Sequence, residues 1–209
     1  MKKLAIMVAA MILMFATAGA TVVTSIPGGT VLPMPNINYF GPGPQTFGPG
    51  ITWSSTNAFN GGGSVFGLNT GYSFVGNGFW DSALVMAGLN DSNADSGVTD
   101  TMTFAFATPV SAVGGFVNYA LGYGNPTLAV WDASNTLIES TVLTFSTGGG
   151  PDSGTFVGFK ESTPIKYFTL TDAYVGIANL TASPEPSSLL LLGSGSLGLL
   201  GVIRLKLMK

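Results

Sequence analysis

The chain has 209 residues with seven basic and ten acidic side chains, and it contains neither His nor Cys. Without these residues it lacks the usual general base near neutral pH, the usual activated nucleophiles and any disulfide, so we do not expect an enzyme. Between residues 21 and 183, two lysines oppose nine acids, a net charge of about −7. No basic stripe could neutralise phosphates, so nucleic acid is not an expected partner.

Residues 1–20 have the composition and order of a secretory signal peptide. Two lysines precede an apolar run over residues 4–15, and small residues follow. The apolar run is too short for a comfortable membrane-spanning helix. The sequence therefore predicts export through the Sec translocon and cleavage by signal peptidase. The cleavage motif is Ala18-Gly19-Ala20, with Ala16-Thr17-Ala18 as a second option.

The central part of the chain has the pattern of short β-strands. Residues 21–50 are rich in Pro and Gly, which excludes a helix or a central strand and indicates an irregular segment. In residues 51–182, apolar or alternating runs are separated by turn residues, which predicts an all-β fold, an antiparallel jelly-roll-like β-sandwich. The predicted strands are residues 51–59, 64–68, 71–75, 99–106, 110–118, 127–132, 137–145, 155–160, 165–171 and 174–181, with one or two helical turns in residues 81–88.

One loop of this domain carries side-chain oxygens at alternate positions, at Asp91, Asn93 and Asp95. Several such oxygens are what Ca²⁺ prefers as ligands, although Met102 stands where an EF-hand would need an acid. A solvated turn is the alternative interpretation, because Asn and Asp bond their own backbone in turns. A structural Ca²⁺ ion is therefore the one cofactor that the sequence suggests, and both interpretations stay open.

Aromatic side chains are abundant and have two interpretations. Their faces can stack on the apolar faces of sugars, while Asn and Asp bind the hydroxyl groups. Packing in the core is the ordinary role of such residues in a sandwich. Tyr119 and Tyr123 lie at a Gly-rich loop, where they could form the rim of a sugar site. The candidates are Trp53, Trp80, Trp131, Tyr39, Tyr72, Tyr119 and Tyr123.

Residues 183–209 form a tail with three parts. The first, Pro184-Glu185-Pro186, is stiff and extended because Pro fixes φ and disfavours helix in the residue before it. The second is an uncharged apolar run over residues 187–203, a predicted transmembrane helix that is short but adequate if its ends snorkel. The third carries cations, which stay in the cytoplasm by the positive-inside rule. These cations are Arg204, Lys206 and Lys209.

This tail resembles the PEP-CTERM sorting signal that exosortases recognise in Gram-negative bacteria producing extracellular polysaccharide. The resemblance rests on the Pro184-Glu185-Pro186 motif, the Leu- and Gly-rich run over residues 189–203, and the cations Arg204 and Lys206. It implies anchoring in the inner membrane, cleavage by an exosortase near the motif, and delivery to the cell envelope or the extracellular space. An ordinary C-terminal anchor is the alternative.

Residues 99–182 also resemble the β-sandwich of many PEP-CTERM proteins, which looks like a jelly-roll carbohydrate-binding module. The matching stretches are residues 106–116, 128–132, 156–159, 164–165 and 168–170. Together the two resemblances imply an exported, non-catalytic surface or extracellular-matrix protein with a structural or adhesive role. The alternatives are a lectin-like module that binds extracellular polysaccharide and a secreted hydrolase that uses paired carboxylates.

Overall fold

The protein is a β-sandwich, described here by a computed structural model. The structure describes residues 21–59, 62–90, 99–172 and 174–184. No helix among these residues is long and apolar enough to cross a bilayer. The predicted signal peptide and the predicted transmembrane helix lie outside them. The strands are β1 (Thr21–Val23), β2 (Thr30–Val31), β3 (Tyr39–Phe40), β4 (Gln45–Phe47), β5 (Ile51–Ser55), β6 (Ser64–Leu68), β7 (Phe79–Trp80), β8 (Met86–Asn90), β9 (Asp100–Tyr119), β10 (Thr127–Trp131), β11 (Leu137–Val142), β12 (Pro151–Asp152), β13 (Thr155–Asp172) and β14 (Tyr174–Pro184).

The long strands β9 and β13 run through both layers of the sandwich. The front layer has the order β11-β10-β13-β9-β5-β4, and β9 contributes residues 102–106 to its pairing with β5. The back layer has the order β1-β13-β9-β14-β8-β6-β3, and β9 contributes residues 110–119 to its pairing with β14. These pairings are antiparallel. The two strands therefore connect the layers covalently.

The sequence prediction divided each long strand in two at a proline, and this was wrong. Residues 99–106 and 110–118 belong to β9, apart from Thr99, and residues 155–160 and 165–171 belong to β13. Neither Pro109 nor Pro164 has a partner in the β9–β13 register, which shifts between Lys160 and Ile165. A proline at such an irregularity removes no ladder hydrogen bond, so the strand can bend there and continue.

Residues 69–85 cover the outer face of the back layer. The predicted strand at residues 71–75 is instead a single bridge at Ser73 followed by a short 3₁₀ helix, Val75–Asn77. The predicted helical turns at residues 81–88 are a turn and the start of β8. Both predictions were wrong because they relied on the local spacing of apolar residues. The conformation of this segment instead depends on the packing of its side chains against the sheet. Its buried side chains Phe74 and Trp80 pack on Met86 and Ala178 in a second hydrophobic cluster.

Residues 21–50 are irregular along most of their length and contribute the short strands β1 to β4. Three of their side chains, Leu32, Met34 and Phe47, are buried in the main core. This core fills the space between the layers and is rich in aromatic rings. Its largest fully buried members include Trp53 and Phe104, each of which stabilises the fold by about 2–3 kcal/mol of buried apolar surface.

Candidate functional site

The outer face of the front layer carries a groove with two aromatic side chains. Trp131 in β10 and Tyr167 in β13 are direct register partners, so their side chains leave the sheet on the same side from adjacent strands. Both are half-buried. The groove has a volume of about 380 Å³ and is lined by Thr103, Trp131, Asn135, Tyr167 and Thr169. The aromatic pair therefore forms one wall of a surface site.

Hydroxyl side chains form rows across the sheet beside this pair. The register places Ser54, Thr103 and Thr169 in one row on three neighbouring strands. Thr101 and Thr171 form the next row, with their Oγ1 atoms 2.8 Å apart. These residues point outward because the residues between them point into the core. The floor beside the groove is thus uncharged and rich in groups that both donate and accept hydrogen bonds.

The indole of Trp131 is fixed by a hydrogen bond within the groove. Its Nε1 donates to Thr169 Oγ1 at 3.0 Å, and that hydroxyl in turn donates to the carbonyl of Ala129 at 3.3 Å. A ring that is already immobilised loses little side-chain entropy when a ligand packs against it. The groove therefore presents a preorganised aromatic surface.

Asn135 is held at the rim by a tight turn after β10. One carboxylate oxygen, Asp132 Oδ1, accepts hydrogen bonds from the backbone N–H groups of Ser134 and Thr136, both at 2.8 Å. Asn135 itself has φ 59°, a left-handed conformation that Asn tolerates better than other side chains. The turn places an exposed amide beside the aromatic pair, and an amide both donates and accepts hydrogen bonds.

The structure separates the two interpretations of the other aromatic residues. Trp53, Trp80 and Tyr119 are fully buried and belong to the core. Tyr119 Oη donates to the carbonyl of Phe145 at 2.7 Å. Tyr123, predicted as a rim residue, is exposed, at 46 % of its surface, but it lies outside the groove.

Tyr123 belongs to a tyrosine cluster at one end of the sandwich. Its ring centroid lies 4.7 Å from that of Tyr174. Burial, and after it the neighbouring Tyr174, raises the pKa of Tyr72 to about 12, so this phenol stays neutral at physiological pH. Tyr72 packs on Phe74, and Tyr39 packs on the main core, so both have structural roles.

Two carboxyl groups, on Glu139 in β11 and Glu161 in β13, are hydrogen-bonded to each other. Glu161 is only 7 % exposed. Its pKa is raised to about 7, first by burial and then by the hydrogen bond and charge of Glu139, against a backbone hydrogen bond from Thr21 that lowers it. Glycosidase acids stand about 5–10 Å apart around the bond they cleave. This pair therefore lacks the geometry that the hydrolase alternative requires.

The predicted metal site lies outside the described residues, since Asp91, Asn93 and Asp95 fall in the gap between residues 90 and 99. The nearby Asp100 is described, and its Oδ1 accepts a hydrogen bond from Thr56 Oγ1 at 2.9 Å. Within the four described ranges, no group of three or more His, Cys, Asp or Glu could hold a metal ion. The Ca²⁺ site stays a prediction.

The sorting motif begins at the end of the last described strand. Pro184 is the final residue of β14, and its carbonyl accepts a hydrogen bond from Ser111 Oγ at 2.8 Å. The other predicted tail residues lie outside the described part of the chain. These are Glu185, Pro186, Arg204, Lys206 and Lys209.

An apolar cavity of about 320 Å³ lies where β9 passes from one layer to the other. Leu32, Ile51 and Phe106 line it, and Thr30 and Thr108 supply its side-chain hydroxyls. Small-molecule sites need a few convergent polar groups that fix the orientation of the ligand. Only two of the ten residues that line the cavity carry a polar side-chain group, whereas all five residues that line the groove at Trp131 do, so the groove is the better candidate.

Sequence analysis named Trp131 but missed its neighbours Tyr167, Thr103, Thr169 and Asn135. The alternation of apolar and hydroxyl residues did indicate that each threonine faces away from the core. The alternation could not give the order of the strands. β10 ends at Trp131 and β13 begins at Thr155, so 23 residues separate two strands that are neighbours in the sheet. The aromatic pair exists only because these distant strands are neighbours.

No family model matches the chain, and no curated protein matches it. Among solved structures it is similar to the fucose-binding module SpX-3 of Streptococcus pneumoniae, with 4% identity, 48% of this chain and 73% of that chain covered, and a TM-score of 0.34. It is similar to the family 32 carbohydrate-binding module of C. perfringens NanJ in complex with galactose, with 12% identity, 63% and 92% covered, and a TM-score of 0.33. The lectin domain of Lectinolysin complexed with Lewis B antigen matches at 10% identity, 48% and 72% coverage, and a TM-score of 0.32. At these TM-scores the likeness carries no argument about function. The argument for a function therefore rests on the geometry of the groove.

Proposed function

We propose that this protein is an exported, non-catalytic domain that binds polysaccharide through the groove at Trp131 and Tyr167. The observation that carries the proposal is the pair of Trp131, whose indole is held by a hydrogen bond, and Tyr167 beside rows of hydroxyl groups on one face of the sheet. Aromatic rings stack on the apolar faces of sugar rings, and hydroxyl and amide groups bind their hydroxyls. No carboxylate or amine is among the five residues lining the groove, so a neutral glycan is the best fit.

The test is a glycan array probed with the full exported protein. Saturable binding is expected, and Trp131→Ala is expected to weaken it about thirtyfold, the cost of roughly 2 kcal/mol that removal of a central aromatic contact produces. The matched control is Tyr123→Ala, which removes an exposed aromatic ring outside the groove and should leave the affinity unchanged. If wild type binds no glycan, or if Trp131→Ala binds as tightly as wild type while both melt normally, the proposal is wrong.

We also propose that residues 183–209 act as a PEP-CTERM-type sorting signal for an exosortase. The support is the order of motif, apolar run and basic end in the sequence. A further support is that the motif begins where the last strand ends, at Pro184, so that cleavage beyond it would leave the sandwich whole. The protein would be anchored in the inner membrane and then delivered to the envelope or matrix, where binding to polysaccharide would be its adhesive role.

Intact-mass measurement of the protein recovered from the envelope and the medium tests this sorting route. Loss of the residues after about Pro186 is expected, and substitution of Glu185→Ala should leave the full tail attached. A mature protein that retains residues 189–209 would show permanent anchoring and would refute processing. This outcome leaves the glycan proposal intact, because the groove does not involve the tail.

A further inference from the structure

The carboxyl pair formed by Glu139 and Glu161 is a buried acidic site that the groove does not use. One oxygen of each group, Glu139 Oε2 and Glu161 Oε1, is buried and has no hydrogen-bond partner. A buried carboxylate is costly unless it is paired with a cation or fully hydrogen-bonded. The site therefore has the chemistry to bind a cationic donor, and Glu161, which is more than nine-tenths buried, faces into it.

No lysine side chain in the described part of the chain meets this requirement. Between residues 21 and 184 the only basic residues are Lys160 and Lys166. Lys160 is exposed, whereas the next residue, Glu161, is buried, so the two side chains leave β13 on opposite sides. The other amine, Lys166 Nζ, donates to the carbonyl of Ala107 at 3.1 Å. The cation that fits the site has to come from another group.

The first strand brings such a group to the site. β1 begins at Thr21 and pairs antiparallel with β13, with Thr21 opposite Lys160. The backbone nitrogen of Thr21 donates a hydrogen bond to the carboxyl of Glu161. In the sequence, Thr21 directly follows the predicted cleavage motif Ala18-Gly19-Ala20. Hydrolysis of the Ala20–Thr21 peptide bond turns this amide nitrogen into a primary amine, which takes up a proton at neutral pH.

We propose that the Glu139–Glu161 pair is the binding site for the α-ammonium group of Thr21 that signal-peptide cleavage creates. This inference rests on the proposed export. An amide nitrogen offers one donor, whereas an ammonium offers three and a full positive charge, so it can pair with oxygens on both carboxyl groups. Cleavage then stabilises β1 at the edge of the back layer, and the domain reaches its full stability only after its leader has been removed.

The pKa of the α-amino group is the direct measurement. The full exported protein is purified from the host, its N-terminal residue is determined, and the rate of α-amine acylation is followed against pH. Pairing with carboxylates favours the charged amine, so its pKa is expected to rise above its usual value near 7.8. Glu161→Gln should return it to the usual value, and so should insertion of Ser-Gly between Ala20 and Thr21, which moves the amine without changing the carboxyl pair.

Thermal unfolding provides the second readout. Acetylation of the Thr21 amine is expected to lower the midpoint in wild type but not in Glu139→Gln/Glu161→Gln, where the partners are gone. An α-amine that titrates at its usual pKa in wild type overturns the inference, as does an equal loss of midpoint in both backgrounds. A mature chain that begins at another residue, such as Gly19 after cleavage at the second motif, overturns the inference because Thr21 then has no α-amine, and the N-terminal residue distinguishes this failure from failure of the ammonium site alone.

Discussion

Trp53 and Phe66 stack with their ring centroids 5.1 Å apart, and this contact joins the two layers of the sandwich. Trp53 lies in β5 of the front layer and Phe66 in β6 of the back layer, and both side chains are fully buried. Phe47 approaches the same ring of Phe66 at 5.2 Å. At this edge, where neither β9 nor β13 connects the layers, aromatic packing holds the layers together.

The first prediction is that Trp53→Ala destabilises the domain by about 3–5 kcal/mol, the range for removing a large aromatic side chain from a core. Trp53→Phe should cost much less, because it keeps an aromatic ring and removes the indole Nε1, a buried donor without a hydrogen-bond partner. Chemical denaturation of both variants provides the measurement. Equal losses in the two variants would show that the ring retained in Trp53→Phe contributes nothing, and would contradict the role of aromatic packing at this edge.

This core shows which parts of the fold can be predicted from the sequence and which cannot. In the sequence, Met102 and Phe104 alternate with polar Thr103, which indicates two opposite faces, and the structure buries the apolar side chains. This face can be found from sequence because a side-chain period of two is a local property. The continuity of β9 through Pro109 was not predicted, since a proline indicates a turn unless distant strands hold the chain extended on either side of it. The pairing of Trp131 with Tyr167 was likewise out of reach, because strand order depends on contacts between distant segments.

The second prediction concerns Asn77, a buried side chain with no sequence signal. Its Nδ2 donates to the carbonyl of Tyr119 at 2.9 Å, and its Oδ1 accepts from the backbone N–H of Thr147 at 3.0 Å. Asn77→Ala leaves both backbone groups without these partners and should cost about 1–3 kcal/mol. Asn125→Ala, at an exposed loop position, should stay within about 0.5 kcal/mol of wild type. Urea denaturation distinguishes them, and equal midpoints would contradict the role of Asn77.

The third prediction concerns the close approach of residues 69–85 to the back layer at Gly176. A Cβ atom at Gly176 would lie 2.5 Å from Met86 Cε and 3.0 Å from Phe74 Cζ. Gly176→Ala should therefore displace the end of the Met86 side chain, press on Phe74, and cost about 1–3 kcal/mol through overpacking. Gly148→Ala, where a Cβ would meet nothing within 4 Å, is the matched control. Limited proteolysis should cut residues 69–85 faster in the first variant only, and equal cleavage rates in the two variants would refute the prediction.

The last prediction is a pH dependence of the unprocessed chain, in which the Thr21 nitrogen is still an amide. Substitution of Ala18→Leu disrupts both predicted cleavage motifs and should retain the leader. Burial, and after it Glu139, raises the pKa of Glu161 from 4.5 to about 7. Between these values the folded state binds more protons than the unfolded state, so stability falls as pH rises. The fall should begin near pH 4.5, reach at most about 3 kcal/mol, and level off above pH 7.

Two variants isolate this contribution from those of the other carboxyl groups. Glu161→Gln cannot ionise and should remove the fall in this pH range, while Glu139→Gln should reduce it, because its amide can donate to Glu161 and carries no charge. Thermal midpoints between pH 4.5 and 8 provide the comparison. In the processed chain, the ammonium of Thr21 would lower the pKa of Glu161 and flatten the same curve. Stability that rises with pH over this range in the unprocessed protein, with no difference from Glu161→Gln, would mean that the carboxyl pair is not buried as described.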